Sequence, residues 1–170
     1  VAERLDEIDP HAIHQARQFM RKTLAEKLEK EWRDAWDRNR TEGAYRPVPS
    51  DAGKRALKNL ALSYLLALDN PAYCQMAIEQ YNRADNMTDR LAALTSLVHS
   101  GCMNRHPEAK ALLDDFYREF ENEALVIDKW FSLQATSPHA GIETITTLME
   151  HPAFTLKNPN RARSLIFGFC

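Results

Sequence analysis

Residues 50–71 read SDAGKRALKNLALSYLLALDNP, and this pattern is typical of consecutive helices. Its interior is dominated by Leu and Ala and lacks the alternation of apolar and polar residues that a half-buried strand shows. Ser50-Asp51 supplies an N-cap and a carboxylate in the first helical turn. Asn70-Pro71 has the form of a new helix start, because Asn is favoured at the cap and Pro at the first helical position. The stretch therefore predicts a helix over 51–69 and a second helix directly after it.

The same start signals recur along the whole chain. Val occurs only at positions 1, 48, 98 and 126, and no run alternates as a strand would, so we predict an all-α protein. The further start signals are Asp9-Pro10, Thr88-Asp89, Ser137-Pro138, Asn158-Pro159 and, more weakly, His106-Pro107. The helices predicted between them are 10–38, 51–69, 71–84, 88–101, 107–122, 124–136, 138–149 and 159–168.

The spacing of the helix starts indicates a repeat. The starts near 51, 88 and 124 lie about 36–37 residues apart, and Pro71 and Pro107 have a similar separation. Pairs of short helices at this interval are typical of α-superhelical arrays of armadillo or HEAT type, in which antiparallel helix pairs stack. We favour this array over the alternative, an irregular helical bundle. Residues 1–170 are expected to form one domain, in which a long helix over 10–38 and a loop over 39–50 precede the helix pairs of 51–168.

The long first helix carries an apolar stripe that does not stay on one face. Its members are spaced by four residues, and each such step rotates the stripe by about 40°. Either the helix curves across several neighbours or it breaks near Lys30. The stripe consists of Met20, Leu24, Leu28, Trp32 and Trp36.

Composition excludes several classes of function. Lys and Arg number 22 against 24 Asp and Glu, which leaves no basic surface for nucleic acid. No apolar stretch is long enough to span a membrane, and the first residues do not form a signal peptide. The three cysteines (Cys74, Cys102 and Cys170) are odd in number and widely spaced, so we expect unpaired thiols and a cytoplasmic location.

Motifs for chemistry are weak. His11 and His14 are three residues apart, whereas helical zinc hydrolases need two His at i,i+4 with an adjacent Glu, so we expect exposed histidines and no metal or catalytic residue. Arg161 and Arg163 lie at the start of the last predicted helix. Arginines in that position can bind a carboxylate, although ordinary surface arginines are the commoner case.

Three stretches, 84–94, 128–138 and 158–166, closely resemble the C-terminal helical domain of the bacterial aminopeptidase N family, and 9–14 resembles it more loosely. These enzymes are zinc metallo-aminopeptidases of the M1 type. The resemblance implies an α-superhelical domain that packs on the catalytic domain, walls the substrate chamber and limits access to small peptides. Arg161 and Arg163 match positions near that chamber.

The motifs that the resemblance assigns to catalysis are an H-E-x-x-H helix with a downstream Glu, which binds zinc, and a G-x-M-E-N loop, and neither occurs in this sequence. We therefore expect a fragment that is inactive alone, with zinc in the parent enzyme and none here. Its expected partners are the catalytic domain of the same polypeptide and the parent's peptide substrates.

Two other functions stay open, a stand-alone helical-repeat adaptor and a metallohydrolase based on His11 and His14. Both ends look cut from a longer chain, and the array looks incomplete at its C-terminus. The apolar segment 164–170 would then be uncovered, so we expect self-association through it.

Overall fold

A computed structural model describes residues 8–41 and 43–170. This part of the chain contains helices and no strand, which confirms the all-α prediction, and none of its helices is long and apolar enough to cross a membrane. The helices are α1 (Pro10–Lys27), α2 (Glu29–Arg38), α3 (Pro49–Leu66), α4 (Pro71–Arg83), α5 (Met87–Val98), α6 (Cys102–Arg105), α7 (Pro107–Phe120), α8 (Ala124–Ala135), α9 (Ile142–Met149) and α10 (Pro159–Ala162), and α10 continues into a π-helical segment (Arg163–Phe167).

Three of the predicted caps form as expected. The Asp9 carboxylate accepts from the backbone N–H groups of His11 and Ala12, the Asn70 side chain accepts from Ala72 N–H, and Asn158 caps α10. Each satisfies backbone donors that the first helical turn leaves without a partner.

Three predicted helix starts are wrong. Helix α3 begins at Pro49, ahead of Ser50, because proline fits the first helical position without needing a side-chain cap. Helix α5 is capped by Asn86, whose side chain accepts from Asp89 N–H at 2.9 Å, and not by Thr88. Ser137-Pro138 forms a turn in which Ser137 Oγ donates to Val98 O at 2.9 Å, so α9 begins only at Ile142.

The predicted long first helix breaks at Leu28 and does not curve as one helix. Leu28 has φ −116° and ψ 24°, and α2 starts afresh at Glu29. The Trp32 indole spans the break, since its Nε1–H donates to Leu24 O at 3.2 Å while its ring stacks on Tyr64 with centroids 4.3 Å apart. The break lets the apolar stripe follow α3, whereas α1 itself buries only Ala25.

The remaining helices stack as repeats around one continuous core. Helices α3, α5 and α8 begin at Pro49, Met87 and Ala124, which are 38 and 37 residues apart. Helix α3 packs on both α4 and α5, and α5 packs on α7 and α8, so each helix buries its apolar face only against neighbours. Fully buried side chains in every layer form the core, among them Leu62, Leu65, Leu94, Leu97, Phe116, Ile127, Phe131 and Leu165.

The expectation of unpaired cysteines is wrong for two of the three. Cys74 in α4 and Cys102 at the start of α6 form a disulfide, with their Cα atoms 5.8 Å apart, while Cys170 is free and exposed. Sequence spacing could not reveal the pairing, because it depends on how the chain between the cysteines, which are 28 positions apart, folds back onto α4.

Candidate functional site

The start of the last helix contains both arginines that the sequence singled out. Pro159 occupies the first helical position, and the Asn158 side chain accepts from Asn160 N–H at 3.0 Å and Arg161 N–H at 3.4 Å. This cap fixes the direction in which the helix leaves the loop after α9. As a result Arg161 points into the protein and is 7% exposed, whereas Arg163 is exposed.

Protein groups surround the Arg161 guanidinium. Its Nε donates to Asp128 Oδ1 at 2.5 Å, one terminal nitrogen donates to Ala124 O at 3.2 Å, and the other donates to Ala153 O. The guanidinium carbon also lies 5.2 Å from the centre of the Phe131 ring, a cation–π distance. These contacts therefore hold the last helix against α8 and against the loop after α9.

The side chain of Arg163 is exposed, whereas that of Arg161 is buried. In the part of the chain that the structure describes, no carboxylate lies within ion-pair distance of its guanidinium. A guanidinium that is exposed and not engaged can form paired hydrogen bonds with a carboxylate of another molecule or domain.

Two histidines near this end of the protein have lowered pKa values. Burial lowers the pKa of His99, whose Nε2–H donates to Leu133 O at 2.9 Å. Burial, and after it the positive charge of Arg161, lowers the pKa of His151, whose Nδ1 accepts from Ala153 N–H at 3.1 Å. Both imidazoles are therefore neutral at pH 7, and both serve packing and turn formation.

The two histidines at the start of the chain lie on the N-terminal half of α1, where His11 and His14 are exposed. Among residues 8–41 and 43–170, no three His, Cys, Asp or Glu side chains come together as a metal site would require. The described residues therefore do not fit a zinc ion, which needs three or four such ligands.

A second buried polar cluster was missed by sequence reasoning. Lys58 in α3 donates from Nζ to Asp89 Oδ2 at 2.6 Å, and both residues are over 90% buried, at 7% and 4% exposed. Gln80 in α4 joins them by donating to Asp89 O at 3.1 Å. A lysine and an aspartate on amphipathic helices are normally read as solvated, so only their position among Leu and Ala could have indicated burial.

Asp128 was also missed, although its sequence context contains a signal. It is the lone acid of α8, whose sequence ALVIDKWFSLQA is mostly apolar. A buried acid needs a cationic or hydrogen-bonding partner, and Arg161 provides it.

The whole chain is similar to known proteins. Residues 1–170 match the family model described as "Domain of unknown function (DUF3458_C) ARM repeats". Aminopeptidase N of Escherichia coli (strain K12) is 39% identical over 170 residues, which are 99% of this chain and 19% of that protein. Aminopeptidase N of Haemophilus influenzae (strain Rd) is 39% identical over 169 residues, with the same coverage.

A solved structure agrees with these matches. It is the crystal structure of Legionella pneumophila aminopeptidase A in complex with aspartic acid, with a TM-score of 0.81 and 30% sequence identity. The match covers 99% of this chain and 20% of that one. The chain thus spans about a fifth of the length of the relatives that it matches, within the C-terminal region of aminopeptidase N.

Proposed function

We propose, because the chain belongs to the DUF3458_C family of ARM-repeat domains, that its residues 1–170 act as one non-catalytic helical-repeat unit of a zinc aminopeptidase. The unit would wall the chamber in which the enzyme removes N-terminal residues from peptides. The observation that carries this proposal is 39% identity to aminopeptidase N along 99% of the chain. Identity that runs through the whole chain favours a shared place in a similar enzyme over a shared fold alone.

The exposed face of α1 supports docking on a second domain. Phe19 is 75% exposed and Met20 is 58% exposed. Both belong to α1, in which Ala25 is the only buried residue. Neighbouring exposed apolar side chains can form part of an interaction surface. We assign the catalytic domain of the same polypeptide as the partner of this surface.

The chemistry of the enzyme belongs to that other domain. A zinc ion would polarise the scissile carbonyl and a Glu would activate water there. The described residues of this chain offer no group that could hold the metal. The chain contributes shape and surface charge, and no reaction step passes through its side chains.

Arg163 is the residue to which we assign contact with the chamber. Its guanidinium is exposed, whereas that of Arg161 is buried against Asp128. In this proposal Arg161 fixes the last helix so that Arg163 faces the carboxylates of peptides in the chamber.

The test uses an aminopeptidase that contains this segment, compared with the isolated chain and with the Arg163→Gln variant. The isolated chain should hydrolyse no amino-acyl fluorogenic substrate. The Arg163→Gln enzyme should keep its kcat on a neutral amino-acyl amide but show a raised KM for peptides with a free carboxylate. Arg38→Gln is the matched control, because Arg38 is an exposed arginine on α2, far along the chain from the last helix.

Two outcomes would contradict the proposal. Turnover by the isolated chain with bound zinc would make it an independent metallohydrolase. Failure of the chain to bind the separately expressed catalytic domain would favour the stand-alone adaptor.

The sequence predicts a cytoplasmic location on the ground of unpaired thiols, but two of these thiols form a disulfide in the structure. The Cys74–Cys102 disulfide is more typical of an oxidising compartment, since cytosolic thiols are kept reduced. Alkylation of cells before lysis distinguishes the two. Alkylated Cys74 and Cys102 in the cytoplasmic fraction would favour the cytoplasm, and an intact disulfide between them would contradict a cytoplasmic location.

A further inference from the structure

A groove separates the middle of α1 from the C-terminal ends of α3 and α5. It has a volume of about 580 Å³, within the roughly 300–1,000 Å³ that ligand-binding pockets occupy. Phe19 of α1 lines one side, and Leu66 and Leu68 at the end of α3 line another, so part of the groove is apolar. The turns after α5 and α8 complete it with hydroxyl and imidazole side chains, among them Ser96, Ser100, His99 and His139.

The part of α1 that borders the groove is basic. From Pro10 to Ala25 the sequence contains Arg17, Arg21 and Lys22 and no acid. Among residues 8–41 and 43–170, no carboxylate lies within ion-pair distance of these three side chains. The positive charge is local, because the net charge of the whole chain is −2.

Arg21 is held in place at the edge of the groove. One terminal nitrogen donates to Ser63 O at 2.9 Å, and the guanidinium carbon lies 5.0 Å from the centre of the Tyr64 ring. An arginine has five N–H donors, so donors remain for another acceptor. Because the side chain is already fixed, less conformational entropy is lost when a carboxylate binds to it. Lys22 also lines the groove, and its exposed side chain supplies a second positive charge.

Asp69 is the one acid among the described residues that line the groove, and an arginine neutralises it. Both carboxylate oxygens of Asp69 accept from Arg105, one of them at 2.6 Å. The hydrogen bonds from Arg105 lower the pKa of Asp69, so the carboxylate stays ionised and paired. With this pair set aside, Arg21 and Lys22 give the described lining two unbalanced positive charges.

Shape and charge together favour one class of partner. A concave groove between helices does not match the flat surface of a membrane. A nucleic acid needs a longer basic surface than two side chains, and the net negative charge of the chain would repel the rest of its backbone. A short acidic segment of polypeptide fits both features, since its carboxylates can pair with Arg21 and Lys22 while an apolar side chain contacts Phe19.

We propose that this groove binds an acidic, extended polypeptide segment that carries one apolar side chain, and that in the parent enzyme this segment belongs to the catalytic domain. The identity of the partner rests on the proposed function, which assigns the catalytic domain to the surface around Phe19. The chemistry of the groove does not depend on that assignment, so the two are tested separately.

The first experiment measures the binding of two peptides with the same dye to the chain by fluorescence anisotropy. The acidic peptide EDEFEDE should bind at low salt with a Kd of about 0.1–1 mM, and the uncharged peptide QNQFQNQ should bind about ten-fold more weakly. Lys22→Glu should weaken binding of the acidic peptide by about five-fold, because a repulsion replaces an attraction. Lys30→Glu is the matched control, since Lys30 is exposed on α2 and does not line the groove.

The second experiment tests the source of the segment. The separately expressed catalytic domain should displace the acidic peptide from the chain. Its own affinity for the chain should fall by about five-fold in Lys22→Glu and stay unchanged in Lys30→Glu.

Each experiment has results that would overturn the proposal. Equal binding of the two peptides, or equal affinities of Lys22→Glu and Lys30→Glu for the acidic peptide, would refute the acidic segment. Binding of phosphatidylglycerol vesicles that Lys22→Glu abolishes would assign this face to a membrane instead. A catalytic domain that binds the chain without displacing the peptide would refute this inference and leave the proposed function intact. A catalytic domain that does not bind, while the peptide does, would refute the assigned partner together with the proposed function.

Discussion

Reduction of the Cys74–Cys102 disulfide should lower the thermal stability of the chain by a measurable amount. The two cysteines are 1% and 0% exposed and join α4 to α6. The bond closes a loop of 28 residues, which limits the conformations open to the unfolded chain. Breaking it restores that freedom to the unfolded state and so favours unfolding.

The chain-entropy relation gives the magnitude. For a loop of this length the lost entropy is about 12 cal/mol/K, which corresponds to about 3.6 kcal/mol at 25 °C. In a domain of this size, each kcal/mol shifts the midpoint of thermal unfolding by about 2–4 °C. Reduction should therefore lower Tm by about 7–14 °C.

The assay is a thermal melt followed by circular dichroism, with and without prior reduction by a dithiol in mild denaturant. The denaturant is needed because both sulfur atoms are buried, and the reductant reaches them only after local opening. Thiol titration in guanidinium should count one thiol before reduction and three after it, since Cys170 is free. Cys170→Ser is the control, and it should keep the full effect of reduction on Tm.

Either of two results would contradict the predicted role of the disulfide. Three titratable thiols in the protein before any reductant is added would show that the bond does not form. A Tm that changes by less than about 2 °C, although the thiol count rises to three, would show that the crosslink does not constrain the unfolded chain.

Three other changes have predicted outcomes. Asp128→Leu should lower the free energy of unfolding, measured by chemical denaturation, by about 3–5 kcal/mol, because it leaves the charge of Arg161 buried and unpaired. Adding Arg161→Met should restore most of the loss. A double variant that is no more stable than Asp128→Leu would contradict this prediction. Tm should fall as pH decreases below about 6.5. Burial lowers the pKa of His99 and His151, so below this pH the unfolded chain binds protons that the folded chain does not. His99→Gln should therefore reduce the slope of Tm against pH in melts between about pH 8 and 5. Phe167 is 76% exposed, so Phe167→Ser should reduce self-association in sedimentation velocity, and unchanged association would place the contact elsewhere.

The helical fold could be predicted because its signals are local. Asp9, Asn70 and Asn158 each cap a helix through side-chain acceptors, and these residues can be recognised without knowledge of any distant contact. The repeat interval was predictable for the same reason, since it is the spacing of such local signals. The predicted start at Pro138 failed because a tertiary contact competed. Ser137 donates to Val98 O on another helix, and the chain turns there instead of beginning α9.

The break at Leu28 illustrates a signal that was present but ambiguous. A winding apolar stripe is compatible with a curved helix or with two short ones. The choice depends on Tyr64 of α3, against which Trp32 stacks. Such a contact between distant residues cannot be obtained from the periodicity of one helix.

The buried couplings that sequence reasoning missed share one property that relates them to the repeat. Lys58 and Asp89 are 31 residues apart, Asp128 and Arg161 are 33 apart, and the disulfide spans 28. Each separation is shorter than the 37 or 38 residues between successive helix starts, and each coupling joins helices of neighbouring repeats. In a stacked array, stability depends on contacts between neighbouring layers, which makes these positions the natural ones for pairs that hold layers in register. Opposite charges or cysteines somewhat less than one repeat apart, on helices otherwise rich in Leu and Ala, are therefore candidates for buried pairs.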